Sequence, residues 1–182
     1  MESKTNLRKE MMILRDKISN ADRIESNKKI AKLLFSRPVF KKAKIIAFYL
    51  SKGSEVETRE MIKEALKIGK EILVPVTNEK MEFVRYEVGE ELVAGKYGIS
   101  EPKTKRSPSN FPQLIIVPGI VFGLCMHRIG YGKGYYDKYL ATSPAYRIGI
   151  CYDFQIKDRL PSHSDDQRMD EIITDKRIIT SD

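Results

Sequence analysis

The first half of the chain reads as helical stripes separated by short apolar runs. Leu7, Met11, Leu14 and Ile18 recur at spacings of four, three and four, which predicts an amphipathic helix with these residues on its inner face. Ser19-Asn20 offers turn and N-cap chemistry. A second helix follows, with Ile24, Ile30, Ala31, Leu34 and Phe35 apolar, stopped before Pro38. The run from Lys44 to Leu50 reads as a buried strand, broken by Ser51-Lys52-Gly53-Ser54. Thr58 is placed to cap a third helix, with Met61, Ile62, Ala65 and Leu66 on one face and Gly69 at its end. Ile72 to Val76 is the next strand. Its Pro75 has no N–H for a ladder, which predicts an edge or a strand end.

Met81 to Val88 is rich in β-formers and reads as a strand reached through a turn at Thr77-Asn78. Gly89 to Pro112, with Gly95, Gly98, Pro102 and Pro108 inside it, reads as a long loop. Leu114 to Val117 has the character of a core strand and ends at Pro118-Gly119. Further on, Tyr135 to Ala141 predicts a helix and Tyr146 to Tyr152 a strand, while Ile172-Ile173-Thr174 closes the sheet. Short apolar runs alternating with helical stripes imply crossover units and a largely parallel sheet in an α/β fold. In such folds ligands bind beyond the carboxyl ends of the strands, where strand order reverses. Pro118-Gly119 stands at such an end.

A length of 182 residues argues for one domain, and 41% hydrophobic with 32% charged residues is ordinary for a globular protein. No apolar run approaches the roughly 20 residues of a membrane span. Met1 to Asn6 carries no signal-peptide core, and Cys125 and Cys151 form no close-spaced pair, so reduced thiols and a cytoplasmic location are expected. The 33 Lys and Arg exceed the 25 Asp and Glu, for a formal charge of +8, which favours polyanionic partners. Runs such as Lys28-Lys29 and Lys41-Lys42 read as solvated helix faces or linkers.

The densest chemistry follows Pro118-Gly119. Gly130, Gly132 and Gly134 alternate, which lets backbone N–H groups approach phosphate oxygens without a Cβ in the way. A helix starting near Gly134 adds partial positive charge, Lys133 and Arg128 add full charges, and Asp137 is placed to hold magnesium on the same phosphates. The loop is not a Walker A motif, because Gly134 rather than Ser or Thr follows Lys133. The dinucleotide pattern also fails, although Asp153 lies at a distance suited to gripping a ribose. A tight turn with an exposed lysine and core tyrosines is the bland alternative. His127 and His163 lack metal-ligand spacing.

Leu114 to Leu140, "LIIVPGIVFGLCMHRIGYGKGYYDKYL", resembles the signature of the 5-formyltetrahydrofolate cyclo-ligase family (5,10-methenyltetrahydrofolate synthetase). "KTNLR" from Lys4, "FYLSKGSEVET" from Phe48, "YGISEP" from Tyr97 and "DQRMDEIIT" from Asp166 are similar to further family segments, in order along nearly the whole chain. The resemblance implies a single-domain, Rossmann-like three-layer α/β fold over residues 1–182. It implies ATP contacts at Lys4, Arg8 and the run Arg128, Ile129, Gly130, Tyr131, Gly132, Lys133, Gly134, Tyr135 and Tyr136. It also implies folate contacts at Arg8, Leu50, Glu55 and Tyr135, and Mg2+ at Asp137 and Asp166. The expected reaction closes 5-formyltetrahydrofolate to 5,10-methenyltetrahydrofolate while ATP becomes ADP and phosphate. Lys133 and Arg128 are then the catalytic cations.

Two positions depart from the family pattern. Gly123 follows Phe122 where Phe-Asp is usual, and Met126 stands in place of a glycine. Both fall where the site entrance is expected, and they raise a second reading: a relative that uses ATP to activate another formyl or carboxyl substrate. A third reading, a basic nucleic-acid-binding module, needs a continuous basic stripe with stacking aromatics. The aromatics Tyr131, Tyr135, Tyr136 and Tyr139 cluster inside the glycine-rich block instead. The expected partners are ATP and a small-molecule folate on a monomer, with no nucleic acid and no membrane.

Overall fold

The structure, a computed structural model, describes the backbone of residues 2–181 and the side chains of all these but Tyr97; Met1 and Asp182, the ends of the expected domain, lie outside the described residues. Helices α1 (Lys4–Asp16), α2 (Asn20–Ser36) and α3 (Pro38–Lys42) lead into β1 (Ile45–Ala47). Then come α4 (Arg59–Lys67), β2 (Glu71–Thr77), β3 (Met81–Tyr86) and a short hairpin of β4 (Leu92–Ala94) and β5 (Ser100–Pro102). The second half runs through β6 (Leu114–Val117), β7 (Val121–Gly123), β8 (Arg128–Ile129) and α5 (Tyr135–Leu140). It ends with β9 (Tyr146–Ile150), β10 (Ile156–Lys157), β11 (Glu171–Ile173) and β12 (Ile178–Thr180).

Seven strands form one sheet in the order β12-β11-β9-β6-β1-β2-β3. The inner pairs are parallel, and only β2–β3 and β11–β12 run antiparallel. From β1 the chain moves to β2 on one side, and β6 later returns to the other side of β1. Strand order therefore reverses between β1 and β6, which opens a crevice beyond Ala47 and Val117.

Both faces of the sheet are covered, which is why its inner strands are apolar without alternation. Ile46, Phe48, Ile72, Val74, Leu114 and Ile116 pack with Ile30 and Leu34 of α2 and with Met61, Ile62 and Ala65 of α4. Ala47, Leu73, Ile115, Val117 and Ile172 face the opposite side, against Phe122, Met126 and Leu140. Each fully buried aliphatic side chain contributes about 1.5–3 kcal/mol relative to exposure. The third layer is thus α5 and a small sheet, β10-β7-β8, rather than a second bank of long helices. Phe122 of β7 reaches across to β9, and a Cβ on Gly149 would stand 2.4 Å from its ring. Leu7 and Met11 of α1 pack on this small sheet through Ile120, Val121, Ile129 and Leu160.

Several local expectations are corrected. Leu14 and Ile24 are exposed, at 43% and 56%, and Arg15 takes the inward place on α1 at 3%. Thr58 does not cap α4: its hydroxyl donates to the Tyr49 carbonyl and accepts from Ser51 N–H, clasping the end of β1. Pro75 lies inside β2, opposite Phe83 of β3, yet β1 pairs only as far as Leu73. Its missing N–H therefore falls where no neighbour needs it. The expected long loop folds into the β4–β5 hairpin, held to β2 by Thr77 N–H donating to buried Glu101. β12, not Ile172-Ile173-Thr174, closes the sheet.

Candidate active site

The crevice at the strand reversal is a cavity of about 520 Å³. Lys4 and Arg8 of α1, Leu50 and Glu55 after β1, the whole run from Arg128 to Asp137, and Asp166 all line it. Four segments that are remote in sequence thus converge. The cause is topological: β1 delivers one of them at the sheet's carboxyl edge, β8 of the small sheet leads into another, and α1 packs its apolar side on β7 and β8 and turns Lys4 and Arg8 inward.

The glycine-rich turn links β8 to α5. Gly132 and Gly134 have φ of 90° and 68°, left-handed values that an L side chain adopts only with strain. Arg8 Nε donates to the Gly130 carbonyl at 2.6 Å, tying α1 to this turn. The helix after it spans six residues, so it adds less end charge than a long helix would. The cations have to carry the electrostatics.

Each of the two aspartates is already oriented. Arg128 Nη1 donates to Asp137 Oδ1 at 3.0 Å, and Gln167 N–H donates to the same oxygen at 3.0 Å. Arg128 is 7% exposed; burial lowers its pKa while Asp137 pulls it back up, and the guanidinium stays charged. Lys4 and the His163 N–H both donate to Asp166 Oδ2. Burial pushes the Asp166 carboxyl up, but these donors outweigh it and hold the carboxyl below its ordinary range. Among the described residues, Asp137 Oδ2 and Asp166 Oδ1 accept no hydrogen bond.

Glu55, at 6% exposure, sits in a different kind of environment. The Tyr131 hydroxyl donates to its Oε1 at 2.7 Å, and Lys52 N–H donates to Oε2 at 2.9 Å. Burial and the Glu55 charge push the Tyr131 phenol up to about 12, so it remains a donor at neutral pH. Lys52 Nζ stands 4.8 Å over the Tyr131 ring. Among the described residues the buried Tyr136 hydroxyl has no hydrogen-bond partner, and burial, with Glu55 second, raises its pKa far above the ordinary range. A buried hydroxyl left unpaired costs about 1–3 kcal/mol, which a bound polar group in the cavity would offset.

Sequence reasoning missed several lining residues. His163, dismissed for lacking metal spacing, lines the cavity beside Asp166, and Lys52, Pro75, Thr77 and Ile99 line it from β2 and the loops. Burial at a strand reversal has no single-sequence signature for such positions. Asp153, weighed as a ribose ligand, is instead committed to Thr174 and Arg177, each at 3.0 Å, and does not line the cavity. Gly123 and Met126 are not at the entrance either. Gly123 closes β7, where a Cβ would stand 2.8 Å from Cys125 Sγ, and Met126 is buried in the core with φ of 66°.

A profile of the 5-formyltetrahydrofolate cyclo-ligase family matches residues 1–175. A probable 5-formyltetrahydrofolate cyclo-ligase of Schizosaccharomyces pombe is 31% identical over 171 residues, spanning 82% of this chain and 84% of the relative. The NMR structure of Aquifex aeolicus 5,10-methenyltetrahydrofolate synthetase superposes with a TM-score of 0.87 at 34% identity, covering 97% of this chain and 92% of that one. A 5,10-methenyltetrahydrofolate synthetase from Mycoplasma pneumoniae gives 0.74 at 25% identity, covering 96% and 99%. No helix among the described residues is long and apolar enough to cross a membrane. With a profile match across almost its full length and a shared architecture, the chain belongs to the 5-formyltetrahydrofolate cyclo-ligase family of enzymes.

Proposed function

We propose that the chain converts 5-formyltetrahydrofolate to 5,10-methenyltetrahydrofolate with ATP and Mg2+ in the cavity at the strand reversal. One observation carries the reading: Lys4, Arg8, Leu50, Glu55, the run from Arg128 to Asp137 and Asp166 meet in a single cavity. A formamide carbon is a weak electrophile and its oxygen a poor leaving group. Attack of the formyl oxygen on the γ-phosphorus expels ADP and leaves an iminium phosphate. The folate nitrogen at position 10 then attacks that carbon and loses its proton, and the C–O bond breaks to release phosphate.

Nothing in this sequence needs a protein nucleophile. Phosphoryl transfer depends mostly on positioning and charge stabilisation. Lys4, Arg8, Arg128 and Lys133 supply cationic charge around the glycine turn. Glu55, fixed at both oxygens by donors, keeps lone pairs for the N–H groups of a pterin ring. The Tyr136 hydroxyl is a further donor available to a ligand.

Asp137 and Asp166 would hold the magnesium. Each has one oxygen fixed by protein donors and, among the described residues, one with no hydrogen bond shown, an arrangement suited to a hard cation that takes one or two carboxylates and completes its shell with phosphate and water. Among the described residues no group of three or more His, Cys, Asp or Glu could hold a metal. The ion would neutralise phosphate charge.

The reading that Gly123 and Met126 redirect the enzyme to another substrate loses its structural basis, because neither position lines the cavity. The test is absorbance-monitored formation of methenyl product from 5-formyltetrahydrofolate, with and without ATP and magnesium. Product that depends on both is expected. No product, or product without ATP dependence, overturns the proposal.

A further inference from the structure

Arg15 occupies a position on α1 where an apolar side chain is expected, and it is 3% exposed. A guanidinium so buried needs partners. Its partners are two neutral hydroxyls: Arg15 Nε donates to Ser54 Oγ at 3.0 Å, and Nη2 donates to Tyr131 Oη at 3.1 Å. Arg15 itself does not line the cavity.

The direction of these bonds matters. Guanidinium only donates, so each hydroxyl must accept from it and send its single proton elsewhere. The Tyr131 proton goes to Glu55 Oε1, and the Ser54 proton goes to Asp16 Oδ1. Lys52 N–H holds Glu55 Oε2 from the same loop. One buried cation therefore occupies the acceptor side of both hydroxyls, leaving the Tyr131 proton for Glu55 Oε1 and the Ser54 proton for Asp16. Tyr131 belongs by sequence to the glycine-rich turn, yet its hydroxyl serves the Glu55 side of the cavity.

We propose that Arg15 is a positioning residue for Glu55, acting through the Tyr131 hydroxyl. The proposal rests on the reading of Glu55 as the folate acceptor. Without Arg15 the phenol can turn its proton away, and Glu55 loses the donor that fixes Oε1. Arg15→Lys keeps the buried charge but lacks the fork that reaches both hydroxyls.

The experiment compares Arg15→Met, Arg15→Lys and Tyr131→Phe in steady-state kinetics, with thermal unfolding of each. Arg15→Met and Tyr131→Phe are expected to raise KM for 5-formyltetrahydrofolate roughly tenfold, as loss of a bond to a charged group does. KM for ATP should stay within about twofold, and the double variant should lose little more than either single, since both act on one bond. Arg15→Lys should fall between, and it carries the test if Arg15→Met does not fold. Equal increases in both KM values, a fully additive double variant, or a lowered melting temperature with unchanged folate KM would overturn the proposal. A wild-type chain without cyclo-ligase turnover overturns the underlying reading, and this proposal with it.

Discussion

Glu55→Gln isolates the charge of one carboxylate in a fixed hydrogen-bond frame. In the wild type both oxygens accept, one from a backbone N–H that cannot turn and one from a phenol whose oxygen already accepts from Arg15. Glutamine has one acceptor oxygen and one donating amide. If its oxygen meets Lys52 N–H, its amide faces the Tyr131 proton, so one donor is misdirected whichever way the side chain is placed. A hydrogen bond to a charged group contributes about 1.5–3 kcal/mol, so folate affinity should fall by roughly ten- to a hundredfold. Nucleotide affinity should change by less than about twofold, because a bond confined to the folate side has no differential contact with ATP. The assay is equilibrium binding of 5-formyltetrahydrofolate and of a non-hydrolysable ATP analogue to both proteins. Equal losses for the two ligands would refute the assignment and show that Glu55 acts by folding the loop at 51–57.

Lys133→Ala should lower kcat by roughly two to three powers of ten with little change in melting temperature, as loss of one transition-state charge contact does; an unchanged turnover rate removes Lys133 from the chemistry. Asp137→Asn and Asp166→Asn should each raise the magnesium concentration needed for activity, and the double variant should lose less than the sum because residues sharing one ion are not independent. Magnesium titrations of all three check this, and normal dependence in Asp166→Asn would reduce it to a partner of Lys4. Met126→Gly should relieve the positive-φ strain but remove a buried side chain, for a net loss of about 1–3 kcal/mol in denaturant unfolding with folate KM unchanged. A shifted folate KM would restore substrate control to that turn.

What the sequence disclosed and what it concealed divide along physical lines. Leu114 to Val117 was legible because a strand buried on both faces leaves an uninterrupted apolar run, and all four residues are fully buried. The glycine turn was legible because two left-handed positions and flanking cations are written in adjacent letters. The small sheet escaped notice because β8 and β10 have two residues each, too few for any periodicity, and they exist only through their pairing with β7. Arg15 was hidden for a different reason. A cation on a helix reads as solvated, and only the folded chain shows Ser54 and Tyr131 waiting for it. Pro75 was legible in chemistry but not in place, since the shortness of β1 is what lets a proline sit within an inner strand.

The charge pattern of the cavity accounts for how metal and nucleotide would support each other. Among the described residues five cations line it, Lys4, Arg8, Lys52, Arg128 and Lys133, against three carboxylates, Glu55, Asp137 and Asp166, so this lining is net positive. Two of the carboxylates are neutralised by direct ion pairs, Asp166 by Lys4 and Asp137 by Arg128. A metal ion arriving alone would have to compete with those cations and would add to an already positive cavity. A triphosphate arriving alone would find Lys4 and Arg128 drawn toward the aspartates. On the proposed reading a metal–triphosphate complex would satisfy both sides at once: Asp137 and Asp166 would hold the ion, and Lys4 and Arg128 would gain phosphate oxygens as partners. Glu55 stands outside this exchange, because its donors are a phenol and a backbone N–H rather than a cation. On the proposed reading its acceptor capacity would thereby be kept for the folate whether or not the nucleotide is bound.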